Sequence, residues 1–246
     1  MDRLPDLRQL YDLLARLEKR LGGTRRLKDC HGRLSWPKRG VYFFFEDGEQ
    51  RTDTGSGPRV VRVGTHALTA KSTSTLWGRL SQHRGVGRTG GGNHRGSIFR
   101  LLVGTALKRR DGRQDPRSWG MKGHATAAAV ELALDRATVK SSEAGLETEV
   151  SKHIGRMPCL FVTVDDEPGP QSVRALIERS AIALLSNFDR SAIDPPSAKW
   201  LGRYSDRPLV RESGLWNNNH VNESWDSAFL GVLSHFIDRT QPAREL

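Results

Sequence analysis

Gly40-Val41-Tyr42-Phe43-Phe44-Phe45-Glu46 and Pro58-Arg59-Val60-Val61-Arg62-Val63-Gly64-Thr65 are the stretch on which the fold turns. Both runs are rich in β-branched and aromatic residues, which suit a pleated, half-buried surface. The connection at 47–57 is polar and carries Gly48, Gly55 and Gly57. Two such runs joined in this way read as an antiparallel hairpin. Alternation along the first strand places Tyr42 and Phe44 on one face. The three consecutive phenylalanines read as core.

Working outward, residues 4–21 repeat leucine at three- and four-residue steps and stop at Gly22-Gly23, the pattern of an amphipathic helix. This helix (1–23 with its stop) packs on its own domain or serves as a dimer contact. After the hairpin, 75–83 reads as a short helix, and 85–96, rich in Gly, Arg and His, as a mobile basic loop. Residues 97–107 and 144–154 read as helices, while 126–135 fits either a strand or a helix. Residues 159–164 read as a buried strand closed by Asp165-Asp166. The run 172–187 is apolar around most of its circumference and reads as a buried central helix. A last amphipathic helix falls in 223–239. No repeat and no linker divides the chain, so residues 1–246 are expected to form one domain, with a C-terminal extension at 188–246.

Lysine and arginine outnumber aspartate and glutamate by 39 to 28, a net charge of +11. The excess is densest from Arg79 to Arg117, and arginine forms bidentate contacts with phosphate oxygens. A polyanion is therefore a natural partner, since counterion release drives such binding. No run approaches the roughly 18 apolar residues that would span a bilayer, and no secretory signal opens the chain. Cys30 and Cys159 are too few for a disulfide framework and lack zinc-ligand spacing. A soluble, reducing, cytoplasmic setting is expected.

The two halves of the hairpin resemble the signature of the GIY-YIG nuclease superfamily. Gly40-Val41-Tyr42 supplies the first half, and Arg62-Val63-Gly64 stands in the second, with Arg62 where the family has tyrosine. In that family the next helix carries a catalytic arginine, sometimes with a histidine one turn later. Arg79 and His83 stand at i and i+4, on one helix face. The family's metal ligand is a glutamate on the helix after the third strand. Glu178 is the only acidic residue on the helix in that order, with Glu147 and Glu149 as fallbacks. The alternative for Glu178 is an ion pair with Arg174. The family also has an asparagine that shapes the site; Asn187 and the run Asn217-Asn218-Asn219 offer it, and Asn217 is the candidate chosen.

The resemblance implies an α/β (α+β) fold with a small antiparallel three-stranded sheet flanked by helices. The nuclease core would span 40–187, with large helical and loop insertions at 84–158. It implies a Mg²⁺- or Mn²⁺-dependent endodeoxyribonuclease acting on double-stranded DNA, either a restriction-type or a mobile-element enzyme. Tyr42 would orient or deprotonate water, Arg79 and Arg62 would hold phosphate, His83 would assist the base, and Glu178 would bind the metal. Arg84, Arg88, Asn93, His94 and Arg95 on the basic loop are expected to contact DNA. A homodimer would supply two active sites for double-strand cutting. A catalytically inactive DNA-binding protein on the same scaffold, or an RNA-binding or RNA-cleaving protein, are the alternatives. The absence of an aromatic platform for single strands speaks against RNA.

Overall fold

A computed structural model describes residues 2–245. Helix α1 (Arg3–Leu21) is capped by the Asp2 carboxylate, which accepts from Leu4 N at 3.2 Å, and ends at Gly22 in the left-handed region, φ 76°. Then come β1 (Arg25–Arg26), β2 (Gly40–Gln50), β3 (Pro58–Gly64) and α2 (Leu76–Arg84). Next are α3 (Ile98–Arg110), α4 (Ala125–Glu131), α5 (Arg136–Arg156), β4 (Pro158–Thr163) and α6 (Val173–Leu185). Two helices, α7 (Pro208–Ser213) and α8 (Ala228–Arg239), close the order. Thr75, Ser97, Asp135 and Ser172 cap α2, α3, α5 and α6 with side-chain oxygens.

The sheet has four antiparallel strands in the order β1-β4-β2-β3, not the three expected. The extra strand is the two-residue β1, pairing Arg25 with Cys159 and Arg26 with Pro158. Two arginines carry no periodicity, so only the pairing with β4 reveals the strand. In the centre, Tyr42 lies opposite Gly64 on one side and Phe161 on the other. Phe44 pairs with Arg62 and Phe45 with Val60, which leaves Val61 as a bulge residue. The tip of the β2–β3 hairpin is tied down from a distance. The Asp194 carboxylate accepts the amides of Thr52 and Asp53 at 2.7 Å each and of Thr54 at 3.1 Å.

Residues 40–45 of β2 are buried without interruption, so both sheet faces are covered. Tyr42 and Phe44 meet α2 and α3 through His83 and Phe99, and α5 packs behind those helices. Helices α1, α6 and α8 pack on one another and on the strands, covering the other face. The leucines of α1 belong to this core: Leu7, Leu10, Leu14 and Leu17 are each exposed by 2% or less. The apolar face of α1 is thereby packed within the chain.

The segment that fitted either a strand or a helix forms α4 over Ala125–Glu131. One further expectation changes. The glycine-rich loop after α2 is not free: Val86 N donates to Gly91 O at 2.8 Å, Gly90 N to Val86 O at 2.8 Å, and Ser151 Oγ on α5 to Gly91 O at 3.1 Å. Backbone bonds closing the loop on itself, plus one anchor on a long helix, hold it as a compact turn.

Candidate active site

The two glycines of the signature have separate physical reasons. A side chain on Gly40 would meet Val162 O at 2.4 Å, so Gly40 lets β2 enter flush against β4. A Cβ on Gly64 would stand 2.3 Å from the Tyr42 hydroxyl oxygen and 2.4 Å from Cζ. Gly64 is therefore the floor on which the Tyr42 ring lies, and the signature couples one strand's glycine to the other strand's tyrosine.

Tyr42 is buried, and its hydroxyl is 2.8 Å from His83 Nε2. His83 Nδ1 is in turn 2.8 Å from Ser97 Oγ, the hydroxyl that caps α3. Burial holds the His83 imidazole well below its ordinary range, and the nearby Arg62, Arg79 and Arg100 add to that. The ring is therefore neutral at pH 7, with one nitrogen donating and the other accepting. Its helix end is fixed by Arg100, which donates to His83 O at 3.0 Å and lies in a buried pair with Glu147. Glu147 also accepts from His94 N at 2.6 Å and faces His94 Nδ1 at 2.9 Å.

Glu178 reaches from α6 to the end of β3. Its Oε1 accepts the Thr65 amide at 3.0 Å, while Thr65 Oγ1 donates to Gly40 O at 2.8 Å and locks the two strand ends together. The alternative of an ion pair with Arg174 does not occur: Arg174 is buried and pairs with Asp166 instead. No cation lies within ion-pairing distance of Glu178 among the described residues. Its pKa is raised by burial, offset in part by the positive charges of Arg62, His220 and Arg79 and by the Thr65 amide. Oε2 has no hydrogen-bond partner among the described residues.

Arg62 is also buried. Its guanidinium donates to Trp216 O and stacks over the Phe99 ring at 4.6 Å. Burial lowers its pKa; Tyr42 and Glu178 counter that and Arg79 adds to it. Asn217 acts on backbone: Oδ1 accepts Val63 N at 3.1 Å and Nδ2 donates to Val63 O at 2.8 Å. With Trp216 N on Val61 O at 2.7 Å, this segment closes the open edge of β3. Arg79 is half-buried and makes only neutral contacts, to Gln82 Oε1 at 3.1 Å and Gly96 O at 3.3 Å.

Tyr42 and His83 are thus hydrogen-bonded, Arg62 and Arg79 lie near enough for their charges to act on His83 and Glu178, and Asn217 holds β3. The structure does not gather the expected loop contacts. His94 is buried and bound to Glu147, and Arg95 is bidentate on Glu143. Both are turned inward because α5 supplies buried carboxylates that need partners. Asn93 is exposed but its side chain caps Arg95 N at 3.1 Å. Arg84 is half-buried and Arg88 exposed. The fallback ligands are also taken, Glu147 by Arg100 and Glu149 by Arg113. Much of the basic stretch is internal wiring, since Arg95, Arg100, Arg110 and Arg113 all sit in ion pairs.

Sequence reasoning missed Ser97, Arg100, Thr65 and His66. Ser97 before a helical run was a visible cap signal, but its bond to His83 is a tertiary fact. His66 faces Ser74 O at 3.1 Å, and its Nε2 is buried without a partner among the described residues. Burial and the charge of Arg174 lower its pKa to about 4.

Mg²⁺ is commonly held by one or two carboxylates, the remaining positions going to water and substrate phosphate. Glu178, with one oxygen anchored and the other free beside a half-exposed arginine, fits such a single-carboxylate seat. No group of three or more His, Cys, Asp or Glu able to hold a metal occurs among the described residues.

A family model described as a GIY-YIG domain matches residues 1–243, and the chain belongs to that family. Its members are nucleases, and that is the class of protein which the hairpin, the buried tyrosine and the lone carboxylate define. No curated relative and no solved structure matches the chain. No helix among the described residues is long and apolar enough to cross a membrane.

Proposed function

We propose that the chain is a metal-dependent endodeoxyribonuclease that hydrolyses phosphodiester bonds of double-stranded DNA at the end of β3. The observation that carries this reading is the unbroken line Tyr42 hydroxyl, His83 imidazole, Ser97 hydroxyl, each step 2.8 Å, beside a carboxylate with no ion-pair partner among the described residues. A divalent cation seated on Glu178 would offset charge on the phosphate and on the attacking oxygen.

Arg79 is the phosphate-binding residue in this reading. Its guanidinium is held only by two neutral acceptors and can turn to a phosphodiester oxygen. Tyr42 orients the attacking water and passes a proton towards His83. In that direction Nδ1–H donates to Ser97 Oγ and Nε2 accepts from the tyrosine. Burial and three arginines disfavour an imidazolium in the free protein. A phosphodiester at Arg79 brings negative charge into the same neighbourhood and lowers that cost. The relay is therefore readied by substrate. Arg62, buried under the strand, adds a fixed positive charge to the site. Arg84 and Arg88, at the end of α2 and just beyond it, remain the loop cations available to the DNA backbone.

The test is supercoiled plasmid with Mg²⁺ or Mn²⁺. The parent nicks it, and Glu178→Ala and Arg79→Ala each lose at least about 100-fold, the scale of one electrostatic contact to the reacting group. Cutting that survives Glu178→Ala unchanged overturns the metal assignment. Tight plasmid binding with no cutting by the parent would instead leave a DNA-binding scaffold, which the exchange of tyrosine for Arg62 would then explain.

A further inference from the structure

A second basic site lies at the C-terminal end of α2, around Arg84. A cavity of about 380 Å³ is lined by Lys28, Arg84, Lys152 and Arg156, with the glycine-rich turn after α2 and Ser151 on α5. No carboxylate lines it. None of the four cations has an ion pair among the described residues, whereas most arginines of the 95–113 stretch do. Lys28, Lys152 and Arg156 are exposed and Arg84 is half-buried. Four like charges around one cavity repel one another, and an anion bound among them offsets that repulsion.

The pocket is also shaped. The Arg84 guanidinium lies where a side chain on residue 87 would sit, 2.5 Å from that Cβ position, so the turn and the arginine form one wall. Lys152 and Arg156 are four residues apart on α5 and share a face. Gly155 packs against Lys28 Cβ, which brings the third cation to the same rim.

We propose that this pocket binds a phosphodiester group of the DNA backbone other than the one cut at the end of β3. The inference rests on the nuclease reading and deepens it, since Arg84 directly follows His83 on α2. A strand held at Arg84 would then be registered against the relay through a single rigid helix.

Binding of a duplex of about 30 base pairs, measured by fluorescence anisotropy from roughly 50 to 300 mM salt, tests this. The Glu178→Gln protein with chelator present prevents cutting. Lys28→Ala, Lys152→Ala and Arg156→Ala are combined in one variant. A control variant combines Arg8→Ala, Lys19→Ala and Arg239→Ala, three exposed cations on α1 and α8 that remove the same net charge. The expected result is that the pocket variant binds about 10-fold or more weakly at 150 mM salt. Its log–log salt slope falls by about 0.9 for each phosphate that the protein ceases to neutralise. The control should keep the parent slope. Equal weakening in the two variants, or none in the pocket variant, overturns the proposal while leaving the nuclease reading intact. Inorganic phosphate that shifts the melting temperature of the parent but not of the pocket variant, with duplex affinity unaltered, would assign the pocket to free phosphate and also overturn it. A parent that binds no duplex at all removes both readings.

Discussion

Replacing Gly64 by alanine should be far more damaging than a single methyl group suggests. Gly64 does not occupy the left-handed region, so alanine is conformationally permitted there and the backbone gives no reason for glycine. The obstacle is the Tyr42 ring, with Oη, Cζ and Cε2 at 2.3, 2.4 and 2.6 Å from the new Cβ. Ordinary carbon contacts begin near about 3.5 Å, so the ring must retreat by roughly 1 Å. Phe44 and His83 flank it with ring centroids at 5.5 and 5.6 Å, which blocks a rigid shift. A displacement of that size takes the 2.8 Å hydroxyl–imidazole bond beyond hydrogen-bond range. Overpacking costs about 1–3 kcal/mol, and a buried nitrogen left unsatisfied costs about 1–3 kcal/mol more. Urea unfolding should therefore show a loss of about 3–4 kcal/mol at constant m. The decisive measurement is the double-mutant cycle with Tyr42→Ala, which takes away the ring. On that background Gly64→Ala should cost less than about 1 kcal/mol, a coupling of about 2 kcal/mol or more. The same cost on both backgrounds would refute the idea that Gly64 exists to seat Tyr42.

Other expectations follow from the buried charges. Glu147→Ala strands Arg100 and should cost about 3–5 kcal/mol in urea unfolding. Glu149→Ala breaks only the more exposed pair with Arg113 and should cost about 1 kcal/mol or less; similar losses in the two variants would contradict this internal wiring. Acid should also destabilise the fold through His83 and His66, whose folded pKa values lie below the unfolded 6.5, the latter at about 4. Their stabilisation is present above pH 6.5 and is lost as the pH falls through the folded values, at up to about 1.4 kcal/mol per pH unit for each. Glu178, raised by burial, acts with the opposite sign: its stabilisation is present below the ordinary carboxylate range and is lost as the pH rises. Unfolding free energy measured between pH 7 and 5 should fall less steeply in His66→Asn than in the parent, and equal slopes would show that His66 is not buried neutral.

The parts of the fold that were legible are those whose cause is local. The β2–β3 hairpin, α2, β4 and α6 follow from periodicity, caps and turn residues within each segment, and so does the order that placed Glu178 after β4. What was illegible depends on partners far along the chain. Nothing around Arg25 marks a strand until Cys159 lies opposite it. His94 and Arg95 look like part of a DNA-facing run because glycine and arginine surround them. Only the folded position of α5, about 50 residues later, shows Glu143 and Glu147 drawing them inward. The same limit applied to Asn217. Its residue type was legible, but its grip on both backbone groups of Val63 was not.

Arg62 is where the sequence departs from the family signature, and its surroundings indicate what the exchange does. A tyrosine there would offer a second hydroxyl to move protons. A guanidinium instead presents fixed charge, held by Trp216 O and the face of Phe99. Its Nε is buried without a hydrogen-bond partner among the described residues, a cost that the site carries to keep the charge there. In the proposed chemistry, proton transfer then falls to Tyr42, His83 and Ser97 alone, and charge neutralisation is shared between Arg62 and Arg79. The same positive charge helps hold His83 neutral and partly offsets the burial of Glu178. One substitution therefore acts on both halves of the proposed chemistry: it leaves a single tyrosine to handle protons and makes the lone carboxylate easier to ionise.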